Sequence, residues 1–300
     1  MRLLRVGSAG RERPAALDER DLLRDLTSLV DDIDGRLLAD PEQLAAVRHA
    51  VASGSLPLLS SGMRVGAPVA RPGKVVGIGL NYTDHADEVG APIPALPVVF
   101  LKASSSISGP RDPIQLPDGS VTTDHEVELG VVVGRTLKAC ADPTEALAAV
   151  GGYLTANDVT ERSLVALGPT WAKGKCADTF TPIGPCLVTA DDAGDPQSLS
   201  LDLWVNGDPR QSGSTSLMAH GVGELLAYVS TLMTLEPGDL LLTGTPAGVA
   251  AGRPEPKPFL RAGDVVEAEV AGLGRQRTPV VSGTGPRTRL QSEGEAAHGR

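Results

Sequence analysis

The chain is short of cysteine, of aromatics, of lysine and of long apolar runs. Its cysteines, Cys140, Cys176 and Cys186, are odd in number and widely spaced. That excludes a disulfide framework or a thiolate zinc site and fits a reducing compartment. Aromatic residues make up 3% of the sequence, too few for a base-stacking platform. No apolar stretch reaches the roughly 18 residues of a membrane span. The opening Met1-Arg2-Leu3-Leu4-Arg5-Val6 lacks the apolar core of a secretory signal. Basic charge is also in deficit: 27 Lys and Arg stand against 37 Asp and Glu, a net charge of −10. The footprint of a nucleic-acid binder is therefore missing. These absences lead us to expect a soluble, cytoplasmic protein with no nucleic-acid and no membrane partner.

What is present is enough to fold. The chain has 300 residues, 41% of them hydrophobic, and a chain of this length buries a core without staples. Its 35 glycines and 24 prolines supply many turns. Short apolar runs at 3–6, 74–80, 97–103, 126–134, 199–205, 239–244 and 264–271 read as strands. Helical spacing recurs at 21–29, after Pro41 with Asp40 as N-cap, and at 83–89, 143–150, 160–167 and 222–233. The pattern predicts an α+β, mostly β fold, a barrel or rolled sheet with helices outside. Residues 1–70 read as a small N-terminal α/β domain that ends in a Gly/Pro/Ser-rich linker. Residues 71–284 read as the main domain, and 285–300 as a disordered tail.

The most informative segment is Thr123-Asp124-His125-Glu126-Val127-Glu128-Leu129-Gly130. On a strand, Glu126 and Glu128 share a face and Val127, Leu129 and Val131 take the other. Two adjacent carboxylates repel, and no Lys or Arg lies nearby in the sequence. A solvated acidic face is the plain alternative, but the strand runs into the core-like Val131–Val133. Asp158, where a strand hands over to a helix, offers a third carboxylate. Three oxygen donors suit Mg²⁺ or Mn²⁺, with Ca²⁺ as an alternative and zinc disfavoured.

Two further features carry chemistry. His85 and Glu88 are three residues apart on an expected helix and therefore neighbours. A carboxylate that orients an imidazole makes a general base, although His-x-x-Glu is common on surfaces. Lysine is rare, yet Lys102 follows Phe100-Leu101, and Lys173 and Lys175 follow Trp171-Ala172. An ammonium there would stabilise an enolate or oxyanion. Thr243-Gly244-Thr245-Pro246-Ala247-Gly248-Val249 is a Gly-rich turn able to present N–H groups to an anion.

The ordered set is specific where each motif alone is weak. Gly77-Ile78-Gly79-Leu80-Asn81-Tyr82 with Asp84-His85, Phe100-Leu101-Lys102, Glu126-Val127-Glu128-Leu129-Gly130, Asn157-Asp158-Val159-Thr160-Glu161-Arg162, Lys173-Gly174-Lys175, Arg210-Gln211, Leu235-Glu236-Pro237-Gly238-Asp239 and Thr243-Gly244-Thr245-Pro246 together resemble the fumarylacetoacetate hydrolase family. The resemblance runs from about 74 to 281, and the leading residues are similar to the small first domain of the longer bacterial members. It implies a mixed β-sandwich roll, a homodimer, and Mg²⁺ or Mn²⁺ at Glu126, Glu128 and Asp158. It also implies a water-activating His85–Glu88 dyad on a lid-like segment and Lys175 near the reacting oxygen. Lys102, Arg162, Gln211 and Thr245 match positions at the substrate site. The implied activity is hydrolysis of a C–C bond in a small anionic 1,3-dioxo acid, an acylpyruvate or a 2,4-dioxo sugar acid, through an enolate. Decarboxylation, isomerisation and hydration use the same enolate chemistry, and a non-catalytic metal-stabilised β module is the remaining alternative. Departures from the family pattern at Ser163-Leu164-Val165 and Met218-Ala219-His220 imply an altered substrate pocket.

Overall fold

The computed structural model describes residues 1–283; the tail expected over 285–300 lies outside them. Strand alternation sets the architecture. The strand Val127–Val133 is buried along its whole length. Val127, Leu129, Val131 and Val133 enter one hydrophobic core and Val132 enters another, as a period of two requires. The strand belongs to a nine-stranded sheet in the order 23–25, 13–17, 2–6, 187–189, 150–157, 127–133, 240–242, 75–79, 98–102. A five-stranded sheet, ordered 208–214, 200–205, 265–270, 274–282, 114–116, faces it across the first core. The second core lies on the opposite face of the large sheet, under the helix Pro41–Ser53 through Val47 and Val51. The result is the mostly β sandwich roll that the family resemblance implies, with peripheral helices.

The expected boundary near residue 70 does not interrupt the sheet. Arg2–Val6 pairs with Leu187–Thr189, Arg13–Leu17 pairs with Arg2–Val6, and Leu23–Asp25 completes the edge. Leu3 and Val51 share the second core with Val75, Val132 and Leu240. The leading segment therefore extends the large sheet and covers one of its faces.

Several elements fall where the sequence places them. The helix Thr83–Val89 has the expected bounds. Pro41–Ser53 starts on Asp40, whose side chain accepts the Gln43 N–H at 2.9 Å. Ser200–Val205 alternates in burial as its sequence does. The expected helix at 21–29 is instead the short strand Leu23–Asp25 and a turn. Asp18 accepts the amides of Arg20 and Leu22 at 2.9 and 3.0 Å, which closes a hairpin, while Leu22 and Leu29 remain exposed. Apolar spacing at 22 and 29 was thus not a buried face. The expected helix at 160–167 shrinks to Arg162–Val165, because Thr160 and Glu161 pair with Asp124 and Thr123. The helix expected at 143–150 stops at Leu147, and Val150 opens the strand Val150–Asn157.

Candidate active site

Four chain segments converge at one end of adjacent strands in the large sheet. Val127–Val133 begins there, and the antiparallel strands Val150–Asn157 and Leu240–Leu242 end there. Val75–Gly79, parallel to Leu240–Leu242, also ends there. These ends deliver Glu126 and Glu128, Asp158, the turn Thr243–Gly248, and the helix Thr83–Val89. Beyond the last strand pair, Asn157 with Val127, the Asp158 amide donates to the Glu126 carbonyl at 2.8 Å. The two carboxylate-bearing segments are therefore fixed side by side.

Glu126, Glu128 and Asp158 are buried, and their carboxylates offer ligand oxygens within 4.8 Å of one another. The structure also supplies cations that the local sequence lacks, which corrects the expectation of an unpaired acidic strand. Lys175 Nζ donates to Glu126 Oε2 at 2.9 Å, to Asp158 Oδ2 at 2.5 Å and to Thr160 Oγ1 at 2.9 Å. Lys102 Nζ donates to Asp158 Oδ1 and, at 2.8 Å, to the Phe180 carbonyl. Arg162 pairs with Asp124 at 2.8 Å and with Glu126 at 2.6 Å.

The carboxylates respond differently to this setting. Burial alone would raise Glu126, but Lys175 and Arg162 outweigh it and hold the carboxyl down at about 2. Burial pushes Glu128 well above the ordinary range, and the charges of Asp158 and Glu126 push the same way. Glu128 accepts the Gly244 amide at 2.7 Å and has no ion pair among the described residues. Four buried carboxylates, counting Asp124, thus meet three cations. The surplus carboxyl is Glu128, beside two more oxygen donors, and a hard divalent cation would stabilise its ionised form. Each carboxylate oxygen has two lone pairs, so a contact to Lys175 or Lys102 leaves capacity for ligation. The donor set fits Mg²⁺ or Mn²⁺.

The dyad forms as the helical spacing predicts. His85 Nδ1 lies 2.9 Å from Glu88 Oε2. Glu88 Oε1 accepts the Gly248 amide at 2.9 Å, and Asp84 accepts the Ala247 amide at 3.3 Å. The Gly-rich turn therefore binds anions of its own chain: Glu128 through Gly244, Glu88 through Gly248 and Asp84 through Ala247. That satisfies amides that the sequence left available for a ligand.

A cavity of about 270 Å³ joins these groups. His85, Glu126, Glu128, Arg162, Lys175 and Thr245 line it, as do Ile78, Leu80, Val89, Phe100, Val165 and Trp171. Lys102 and Gln211 are buried outside this lining. Lys102 braces Asp158. Gln211 accepts the Val127 amide at 3.0 Å and donates to Thr245 Oγ1 and the Pro246 carbonyl, each at 2.8 Å. Of the two lysines after Trp171, Lys175 enters the site and Lys173 stays exposed.

Sequence reasoning missed two parts of this arrangement. One is Asp124, which accepts the Ala250 and Ala251 amides at 2.8 and 3.0 Å and so ties that segment to Arg162. The other is the aromatic wall. A Cβ on Gly77 would stand 2.2 Å from the Phe100 ring, and one on Gly79 would stand 1.9 Å from the Trp171 ring. The alternating glycines make room for both rings, which meet edge to face at 5.6 Å. The scarcity of aromatics was legible, but where these two meet was not.

Comparison with known proteins identifies the family. The family model described as fumarylacetoacetate (FAA) hydrolase C-terminal matches residues 74–281. A Burkholderia ambifaria (strain MC40-6) protein that carries only a provisional hydrolase name is 51% identical over 278 residues, 92% of this chain and 97% of that one. A solved fumarylacetoacetate hydrolase from psychrophilic Exiguobacterium antarcticum is 36% identical, with TM-score 0.82 over 94% of this chain and 99% of its own. A 5-carboxymethyl-2-hydroxymuconate delta-isomerase from Mycobacterium smegmatis is 32% identical, with TM-score 0.73 over 95% and 100%. A maleylpyruvate hydrolase from Sphingobium sp. SYK-6, solved with manganese(II) and pyruvate, is 30% identical, with TM-score 0.78 over 95% and 100%. The matched segment contains the carboxylate cluster, the dyad and the cavity, and the chain belongs to the fumarylacetoacetate hydrolase family.

Proposed function

We propose that this chain is a divalent-metal-dependent hydrolase that cleaves the C–C bond of a small 2,4-dioxo acid of the acylpyruvate type. One observation carries the reading: His85, paired with Glu88, and Glu126 and Glu128 of the three-carboxylate cluster line a single cavity. Mg²⁺ or Mn²⁺ held by Glu126, Glu128 and Asp158 would act as a Lewis acid on the 2-oxo-acid end of the substrate.

The side chains supply the rest. With His85 Nδ1–H donated to Glu88, Nε2 carries the lone pair of the neutral ring and takes a proton from water. The hydroxide adds to the C4 carbonyl. The C3–C4 bond breaks, and its electron pair stays on C3 as the enolate of the 2-oxo acid. Lys175 and Arg162 are the cations lining the cavity, and Lys175 stabilises the developing negative charge. The proton on His85 returns to C3. One water is consumed, and a carboxylic acid and a 2-oxo acid leave.

The test is a panel of acylpyruvates, dioxo sugar acids and oxaloacetate, assayed with Mg²⁺- or Mn²⁺-loaded protein and product analysis. Release of pyruvate with a second acid, lost in His85→Ala, supports hydrolysis. CO₂ release or isomerised substrate without cleavage overturns it in favour of the other enolate chemistries. Full activity of Glu126→Gln and Glu128→Gln in chelated buffer overturns the metal dependence. The homodimer rests on the family resemblance and is tested by light scattering, and the cytoplasmic location rests on the composition and is tested by cell fractionation. Among the described residues, no helix is long and apolar enough to cross a membrane.

A further inference from the structure

We propose that the substrate's C4 substituent is an uncharged apolar group, alkyl or aryl, and that a terminal carboxylate or a polyol is rejected there. This rests on the hydrolase reading above and names the substrate class of the same site.

The cavity is lined by two chemically distinct groups of residues. Glu126, Glu128, Arg162, Lys175 and Thr245 form one. Ile78, Leu80, Val89, Phe100, Val165 and Trp171 form the other. Phe100 adjoins both: its ring centroid lies 5.0 Å from Lys175 Nζ and 5.6 Å from the Trp171 ring. His85 decides which group receives which part of the substrate. Val89 follows His85 by four residues on the helix Thr83–Val89, one turn further along the same face. A carbonyl attacked by water on His85 therefore carries its outer substituent toward Val89 and the aromatic wall.

A charged terminus has no partner there. The lining contains two permanent cations, and both are paired with carboxylates of the cluster. Lys175 uses its three donors on Glu126, Asp158 and Thr160. Arg162 is held by Asp124 and Glu126. Lys173 is exposed and lies against Gly168, outside the lining. A carboxylate placed among Leu80, Val165 and Trp171 would lose water and gain no counter-charge. Hydroxyls fare little better, because these apolar residues offer no side-chain hydrogen-bonding group except the indole N–H of Trp171. An alkyl chain gains from each buried methylene.

The test uses a series of 2,4-dioxo acids with methyl, butyl, phenyl, carboxypropyl or polyhydroxyalkyl groups on C4. Turnover is measured on Mn²⁺-loaded protein, and binding is measured by calorimetry on Mn²⁺-loaded His85→Ala. We expect kcat/KM and affinity to rise several-fold per added methylene, with the carboxypropyl compound at least 100-fold below the butyl one. Val89→Arg, at a position 45% exposed, is expected to narrow that gap at least tenfold. Equal or tighter binding of the carboxypropyl or polyhydroxyalkyl compound overturns the proposal, whatever the turnover. Preferential binding of butyl and phenyl compounds without cleavage sustains it and overturns the hydrolase reading instead. Binding of none of them overturns both.

Discussion

Glu88 holds His85 and the loop behind it at once: one carboxylate oxygen lies 2.9 Å from His85 Nδ1, and the other accepts the Gly248 amide at 2.9 Å. The same loop continues to Ala250 and Ala251, whose amides bind Asp124. Asp124 pairs with Arg162, and Arg162 pairs with Glu126. The proposed base and a proposed metal ligand are thus positioned by one continuous set of charge-assisted contacts, which are stronger than neutral ones.

Glu88→Gln keeps the shape of the dyad but removes the charge that orients and polarises the ring. We expect kcat to fall by about 10²–10⁴, with Mn²⁺ affinity unchanged by calorimetry. An unaltered kcat would remove Glu88 from the catalytic scheme.

Glu128 contributes to the pH response of the metal-free protein. Burial and its carboxylate neighbours raise its folded pKa above the unfolded value, so the native state binds the extra proton. Stability from this group is present below the unfolded value and is lost as pH rises through the raised folded value, with a slope of at most about 1.4 kcal/mol per pH unit. Thermal melts with chelator should therefore show Glu128→Gln gaining on the native protein as pH rises. Added Mn²⁺ should stabilise the native protein and not the variant.

Asp124 and Glu126 have the opposite sign. Burial raises both, but Arg162, His125 and the Ala250 and Ala251 amides together outweigh it for Asp124, and the contacts to Lys175 and Arg162 do so for Glu126. Their stabilisation is full above the unfolded values and is lost as pH falls toward about 2 for Glu126. Asp124→Asn leaves Arg162 half-paired and should cost about 3–5 kcal/mol. Urea denaturation at neutral pH checks the loss. Repeating it between pH 5 and 3 should show a flatter acid limb in the variant.

Gly79→Ala places a methyl group inside the space of the Trp171 ring. Overpacking of this kind costs about 1–3 kcal/mol. The ring must leave the cavity wall, so we expect a changed tryptophan emission together with a raised KM for apolar substrates. A native spectrum would show that the wall accommodates a side chain at 79.

The sequence by itself determined the local elements and the chemical identities. The alternation of Val127, Glu128, Leu129 and Val131 assigns strand faces because side chains on a strand repeat every two residues. The three-residue spacing of His85 and Glu88 implies a dyad because helix neighbours repeat every three to four. Asp158 was recognisable from its place between a strand and a helical segment. Contacts between distant segments were beyond such rules. The pairing of Lys175 with Glu126 spans 49 positions, and that of Lys102 with Asp158 spans 56. Local periodicity holds no information about partners so far apart. The turn at 18–21 overrode helical spacing because Asp18 captured its amides, and Thr160 joined a strand pair because Asp124 stood opposite. Only the tertiary structure decided that the leading segment would extend the large sheet, that the Gly-rich turn would hold carboxylates of its own chain, and that Phe100 and Trp171 would wall the cavity. Each is settled by which surfaces become buried together, and burial is a property of the whole chain rather than of any window along it.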